Sequence, residues 1–278
     1  MTFATRAAHA ETNADLGRDG AIIAGATTAA VLFNYLPVHE EMPLREHEWL
    51  RLDERVRDNF SEGAAHASDV SLVLAVGSTS AFAIGTGDGA GDRALVLGES
   101  VAIALAATSV AKVIVARPRP YVYNDDERAL RRRDRAGRDA YRSWFSGHAA
   151  MSFAAVAASG ALFAENADHS PRERALVWGM GLTLATATSN LRVRAGRHFY
   201  SDVAIGAVVG GTIGTVVPAL HSGELVAPSG IEIAAMGGGL VLGAVASQLL
   251  PVGSSTHPVR VSPLLMRDGA GIAFGGRL

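Results

Sequence analysis

The sequence predicts an all-α protein: a six-helix core bundle that crosses a membrane, with a short β-hairpin near the C-terminus. Three observations lead there. Charge is segregated along the 278 residues, so that the stretches 21–37, 70–88, 95–116, 149–164, 175–190, 203–220 and 231–250 carry almost none. Most of these match the length that crosses a hydrocarbon core of ~30 Å. Their composition is Ala, Gly, Val, Ser and Thr rather than Leu and Phe, and small residues let helix backbones approach closely in a bilayer. The alternative is a soluble all-α bundle with Ala-rich buried helices. Hydrophobic residues make up 49 % and the mean hydropathy is +0.20, high for a soluble protein and low for a typical membrane protein.

The elements follow in order. Residues 1–19 read as a tail. Its opening, "MTFATRAAHA", ends in a small-x-small pattern before Glu11. That resembles a signal-peptide cleavage site without the apolar segment that should precede it. The pattern is read as chance, the alternative being a start placed too far downstream. Residues 20–220 read as the helical core, and 221–278 as one further apolar helix and an extension. Between the first two apolar stretches, Trp49, Leu52, Val56 and Phe60 recur at helical spacing within 43–60, which predicts an amphipathic helix. Ser68 or Asp69 is positioned to cap the next helix. Pro118 and Pro120 end the third apolar stretch. The segment 121–144 is rich in arginine and reads either as a solvated loop or as a lid that attracts anions. Beyond 250, β-branched residues around Asp268-Gly269 predict the hairpin.

Composition excludes several functions. The absence of cysteine removes disulfides, thiol catalysis and thiolate metal sites. The net charge of −2 argues against a polyanion or nucleic-acid binder. No dinucleotide-binding or P-loop glycine pattern occurs, and no dense Asp/Glu/His metal cluster is visible along the chain. The oligomeric state is not legible.

Polar residues interrupt the apolar pattern at three apparent helix ends. In "KVIVARPRP", Lys112 precedes Arg119 by about two helical turns, so both can face one pocket. In "FSGH", Ser146, Gly147 and His148 open a helix, and free N–H groups there make an anion cradle. In "LRVRAGRHFYSDV", Arg192 is followed by His198 and, one helical turn later, Asp202. That carboxylate can hold one imidazole nitrogen and orient the other. Taken singly, each has a structural explanation: an interface anchor, a satisfied histidine, a solvated pair.

Together the three segments resemble the signature of the type 2 phosphatidic acid phosphatase and vanadium haloperoxidase superfamily, K-x6-R-P, P-S-G-H and S-R-x5-H-x3-D. Lys112, Arg119, Ser146, Gly147, His148, Arg192, His198 and Asp202 all match it. Two positions depart from it: Phe145 stands where the family has Pro, and Leu191 where it has Ser.

The residues suit phosphate ester hydrolysis. Lys112, Arg119 and Arg192 can neutralise a phosphoryl group, and the amides near Ser146 and Gly147 add to that. The cations take the place of a metal, so neither metal nor other cofactor is expected. A neutral imidazole beside a carboxylate makes His198 with Asp202 the nucleophile, and His148 is then the general acid. The resemblance implies a phosphohistidine intermediate, a lipid phosphate substrate in the membrane branch, and a periplasmic or outer location in a bacterial-type cell membrane. The positive-inside rule would instead put the arginine-rich segment in the cytoplasm. The alternatives are a soluble secreted acid phosphatase and a vanadium-dependent haloperoxidase. Glu99, inside an apolar stretch, has no assigned role.

Overall fold

The computed structural model describes residues 12–38, 51–85, 89–166, 168–252, 260–266 and 269–275. It is a helical bundle. The elements are α1 (Leu16–Tyr35), α2 (Arg51–Glu54), α3 (Glu62–Ile84), α4 (Ala90–Val115), α5 (Glu127–Ala136), α6 (Gly147–Glu165), α7 (Pro171–Arg194), α8 (Tyr200–Ser222) and α9 (Gly230–Leu249), followed by strands β1 (Arg260–Met266) and β2 (Gly269–Gly275). The strands pair antiparallel, with Met266 opposite Gly269. Gly269 is therefore a strand residue, while Asp268, the leader-like pattern before Glu11 and Trp49 lie outside the described residues.

Among the described residues, six helices, α1, α3, α4, α6, α8 and α9, are long and apolar enough to cross a membrane. Their outward faces stay apolar: Val31, Leu74, Ile114, Val208, Leu242 and Leu249 are all exposed. A water-soluble bundle would place polar residues there. Six such helices fit an integral membrane protein. α7 is less apolar but packs among them, entered through Pro171 and a capping box in which Ser170 and Glu173 satisfy each other's amides.

Close packing of α6 on α8 sets the frame. Gly206, Gly210 and Gly214 recur every four residues on α8 and face α6. A Cβ on Gly210 would stand 2.1 Å from the Ala150 carbonyl oxygen, and one on Gly214 2.2 Å from that of Ala154. Only hydrogen fits there, so the two backbones touch. The contact brings the N-termini of α6 and α8 side by side.

Three local expectations change. α3 begins at Glu62, capped by Ser61, whose side chain accepts from the Ala64 amide at 3.1 Å. Ser68 and Asp69 are thus mid-helix, because the small residues of "EGAAHAS" continue the helix rather than delay it. Within 43–60, the described helix stops at Glu54 and gives way to turns; Val56 is buried while Leu52 is exposed. α4 stops at Val115, with Ala116 at φ 49°, before Pro118 restricts Arg117 to extended backbone. Lys112 and Arg119 therefore do not share a helix.

Candidate active site

All eight motif residues gather at the end of the bundle where α4 and α7 finish and α6 and α8 begin. Backbone bonds knit the three segments together. The Ser143 amide donates to the Arg117 carbonyl at 2.9 Å, Tyr121 to Gly196 at 3.1 Å, and Ser146 to Asp202 at 3.1 Å. Gly147 matters by size: a Cβ there would lie 3.2 Å from Thr108 Cγ2 and 3.7 Å from Lys112 Nζ. Its bareness lets α6 start close against Thr108, with the lysine alongside.

Ser146 caps α6 through its hydroxyl, which accepts from the Ala149 amide at 3.4 Å. Its own amide is taken by Asp202, so it does not serve an anion cradle. The amides of Gly147 and His148 follow in the first turn, where no intrahelical carbonyl reaches them.

His198 is buried, 1 % exposed. Its Nδ1 lies 2.8 Å from the Ser143 carbonyl oxygen and 3.7 Å from Asp202 Oδ2. A carbonyl can only accept, so Nδ1 carries the hydrogen and Nε2 of the neutral ring holds a lone pair. The orienting group is thus a backbone carbonyl. The expected direct hold by Asp202 gives way to it because Asp202 is engaged elsewhere. Its Oδ2 accepts from the Phe199 amide at 2.9 Å and from the Ser143 hydroxyl, and its Oδ1 pairs with Arg117. Asp202 therefore fixes the α8 N-terminus and the Ser143 loop, and the loop fixes His198.

Arg117 is a part of this site that the motif spacing does not reveal. It is buried between two carboxylates, Asp202 and Asp53, with Asp53 Oδ2 at 2.9 Å from Nη2. It also donates to Ser201 Oγ at 2.7 Å, and its guanidinium lies 4.2 Å from the centre of the Phe199 ring. Asp53 belongs to α2, so the short helix is tied to the site from outside the motifs. The extra arginine in "ARPRP" was the available sign.

His148 has a carboxylate partner of its own. Its Nε2 lies 2.7 Å from Asp69 Oδ1 on α3, and the same oxygen is 3.5 Å from Arg192 Nη1. Arg192 also donates to Ser68 Oγ at 3.3 Å, while its Nε is buried with no hydrogen-bond partner among the described residues. Arg119 is buried and largely engaged. Nε donates to the Asp139 carbonyl at 2.7 Å, Nη2 to Asp139 Oδ1 at 2.9 Å and Nη1 to the Arg197 carbonyl at 3.1 Å.

The electrostatics express the convergence. Burial, and then the charges of Arg119, Arg192, Lys112 and His148, hold His198 well below the ordinary histidine range. Burial alone would raise Asp139, but Arg119 and Lys112 outweigh it and keep that carboxyl well below its usual range.

The arginine-rich segment is folded. α5 is capped by Asp126, which accepts from the Arg128 amide at 2.8 Å. Arg142 donates to the Asn34 and Leu36 carbonyls at 2.7 and 2.6 Å and ties the segment to the end of α1. The two departures from the signature are core residues. Phe145 packs among Ala104, Ala150 and Ala154, and Leu191 among Ala64, Ala65 and Ala195.

Among the described residues, six membrane-length helices carry at one end a buried cluster of cations and two histidines, an arrangement suited to binding an anionic ester. Residues 93–224 match the family model of the PAP2 superfamily, a segment that contains all eight motif residues. That match points to phosphatase-type hydrolysis of phosphate esters. No curated protein and no solved structure matches the chain.

Proposed function

We propose that the protein hydrolyses a lipid phosphate monoester or pyrophosphate through a phosphohistidine, without a metal at the reacting centre, and that residues 20–220 form the phosphatase unit. The observation that carries this is Arg192: a buried guanidinium Nε without a hydrogen-bond partner among the described residues, beside Lys112, Arg119 and two histidines. A buried N–H left unpaired is unfavourable, and a phosphoryl oxygen satisfies it with a charge-assisted bond.

Lys112, Arg119, Arg192 and the amides of Gly147 and His148 bind the phosphoryl oxygens. His198 Nε2 attacks phosphorus and the bond to the leaving oxygen breaks. His148, held by Asp69, gives that oxygen its proton. His148 then takes a proton from water as the water oxygen attacks phosphorus and the N–P bond breaks, releasing inorganic phosphate. Asp202 stabilises the imidazolium at a distance and holds the loop that orients it.

A groove of about 420 Å³ between α7 and α8 supports a lipid substrate. Thr186, Ser189, Val203, Ala204 and Ala207 line it together with Tyr200 and Ser201, which follow His198 closely along the chain. It suits an acyl or isoprenoid chain lying beside its phosphate.

The site faces the outer side of a bacterial-type cell membrane. The chain has no cysteine, so Arg133→Cys, at an exposed position on α5, supplies a single label site. A membrane-impermeant maleimide should label it in intact cells; labelling only after lysis contradicts that orientation.

Purified protein in detergent should release phosphate from a panel of lipid phosphates, with vanadate blocking and EDTA sparing turnover. Activity lost to EDTA and restored by magnesium would contradict the reading.

A further inference from the structure

A second buried cluster lies away from this site, and the proposed chemistry does not use it. Asp19 on the first turn of α1, Glu99 on α4 and His221 near the end of α8 bring one ligand atom each to within 4.8 Å of one another. Asp19 is 0 % and Glu99 6 % exposed, and the His221 side chain 7 %. The sequence showed no dense Asp/Glu/His cluster; the fold assembles this one from three helices distant along the chain. At ~1.5 Å per residue, His221 stands roughly 29 Å along α8 from Asp202, at the opposite end of the bundle.

The three groups face each other as acceptors. The Val217 carbonyl lies 2.9 Å from His221 Nδ1. It can only accept, so Nδ1 bears the hydrogen and Nε2 of the neutral ring is a lone pair. That nitrogen is 3.4 Å from Asp19 Oδ2 and 3.4 Å from Glu99 Oε2. Neither His221 Nε2 nor Glu99 Oε2 has a hydrogen-bond partner among the described residues. Asp19 Oδ2, the oxygen nearest His221, also accepts from the Asp15 amide at 2.7 Å and from Arg18 Nη2 at 3.3 Å, while Oδ1 accepts from Arg18 Nε at 2.6 Å. A lone pair opposed to two buried carboxylates is unfavourable unless a positive centre lies between them.

We propose that Asp19, Glu99 and His221 bind a divalent cation of the zinc class. The distances choose between a proton and a metal. A protonated imidazole draws a carboxylate to about 2.7–2.9 Å, whereas both oxygens stand back at 3.4 Å. A tetrahedral ion with bonds of ~2.1 Å separates its ligands by about 3.4 Å. An octahedral ion with that edge would need bonds of about 2.4 Å, a calcium-like length, and calcium takes oxygen ligands rather than imidazole. Two carboxylates and a neutral imidazole would ligate the ion, with the charge of Asp19 shared with Arg18; the Val217 carbonyl fixes the histidine tautomer, and Arg18 and the Asp15 amide orient Asp19, as outer partners of metal ligands do. The site ties α1 to α4 and α8, so its expected effect is on the stability of the bundle.

The test uses full-length, tag-free protein in detergent, stripped with EDTA and dialysed against Zn²⁺ alone. One zinc per chain is expected by elemental analysis, together with a rise in thermal midpoint that grows with free Zn²⁺. Loss of an outer-shell partner typically weakens metal binding ~10–100-fold, so Glu99→Gln and His221→Ala should each weaken it by at least about 100-fold. Folded wild-type protein that takes up no zinc would overturn the proposal and leave the cluster to a proton. Zinc uptake unchanged in both variants would overturn it as well. Should the variants not fold, X-ray absorption on zinc-loaded wild type decides: an imidazole with oxygen ligands at about 2.0–2.1 Å supports the site, and a shell without imidazole refutes it. No readout depends on phosphatase activity, so the two proposals stand or fall separately.

Discussion

His148 Nε2 lies 2.7 Å from Asp69 Oδ1, a carboxylate contributed by α3 from outside the three motifs. A carboxylate so placed stabilises the imidazolium and fixes the ring, which is what a proton donor to a leaving oxygen needs. Its value depends on the leaving group. An alkoxide is strongly basic and needs the proton; a nitrophenolate does not. His148→Ala should lose ~10²–10⁴-fold in kcat/KM, which reports the first phosphoryl transfer, on a lipid phosphate and far less on p-nitrophenyl phosphate. Asp69→Asn should show the same substrate pattern with a smaller factor. Equal losses on both substrates would remove His148 and Asp69 from leaving-group protonation.

Asp202 should behave as a structural hub as well as a catalytic neighbour. Asp202→Asn keeps an acceptor for the Phe199 amide but leaves Arg117 with Asp53 alone. Breaking a buried pair typically costs ~3–5 kcal/mol, and the remaining carboxylate reduces that. The expected result is a clear drop in the thermal midpoint, with turnover reduced by the same factor on both substrates. An unchanged midpoint would show that the Asp53–Arg117–Asp202 chain does not hold the site.

His198 gives a pH signature. Its pKa is depressed in the folded protein, so above the unfolded value of about 6.5 the ring is neutral in both states and contributes no pH slope. Below that value the unfolded chain binds a proton that the folded chain still refuses, so stability falls as pH drops. The slope approaches ~1.4 kcal/mol per unit for a single group. Thermal midpoints measured from pH 7 to pH 5 should therefore fall more steeply in wild type than in His198→Asn. Parallel curves would contradict the depressed value.

The α6–α8 contact can be tested by size. Gly210→Val places carbon against the Ala150 carbonyl and should destabilise by about 1–3 kcal/mol or more, while also separating His148 from His198 and abolishing turnover. Gly211, whose Cβ would meet nothing within 4 Å, is the control. Gly211→Ala should keep full activity, with a thermal midpoint at or above wild type. Full activity in Gly210→Val would show that the close approach is not required.

The helices were legible because low charge over membrane length is a local property, and the eight motif residues because each stands at a helix end with fixed spacing. What escaped is tertiary. Asp69 reads as a helix cap by residue type, and only the packing of α3 on α6 brings it to His148. Asp202 looked like the partner of His198 because i,i+4 spacing permits it, but Arg117, Ser143 and the Phe199 amide compete for the same carboxylate. Asp53, Arg117, and the Asp19–Glu99–His221 cluster depend on contacts between distant segments, which no local spacing encodes. Phe145 and Leu191, departures by sequence, turn out to be packing residues.

The central claim is that His198 carries the phosphoryl group. Protein mixed with ³²P-labelled lipid phosphate and quenched within one turnover should hold acid-labile, base-stable label on the peptide containing His198. His148→Ala, challenged with labelled p-nitrophenyl phosphate, should accumulate that label, since its second step lacks a general base, and His198→Ala should hold none. Label on any other residue, or label retained in His198→Ala, would contradict the account.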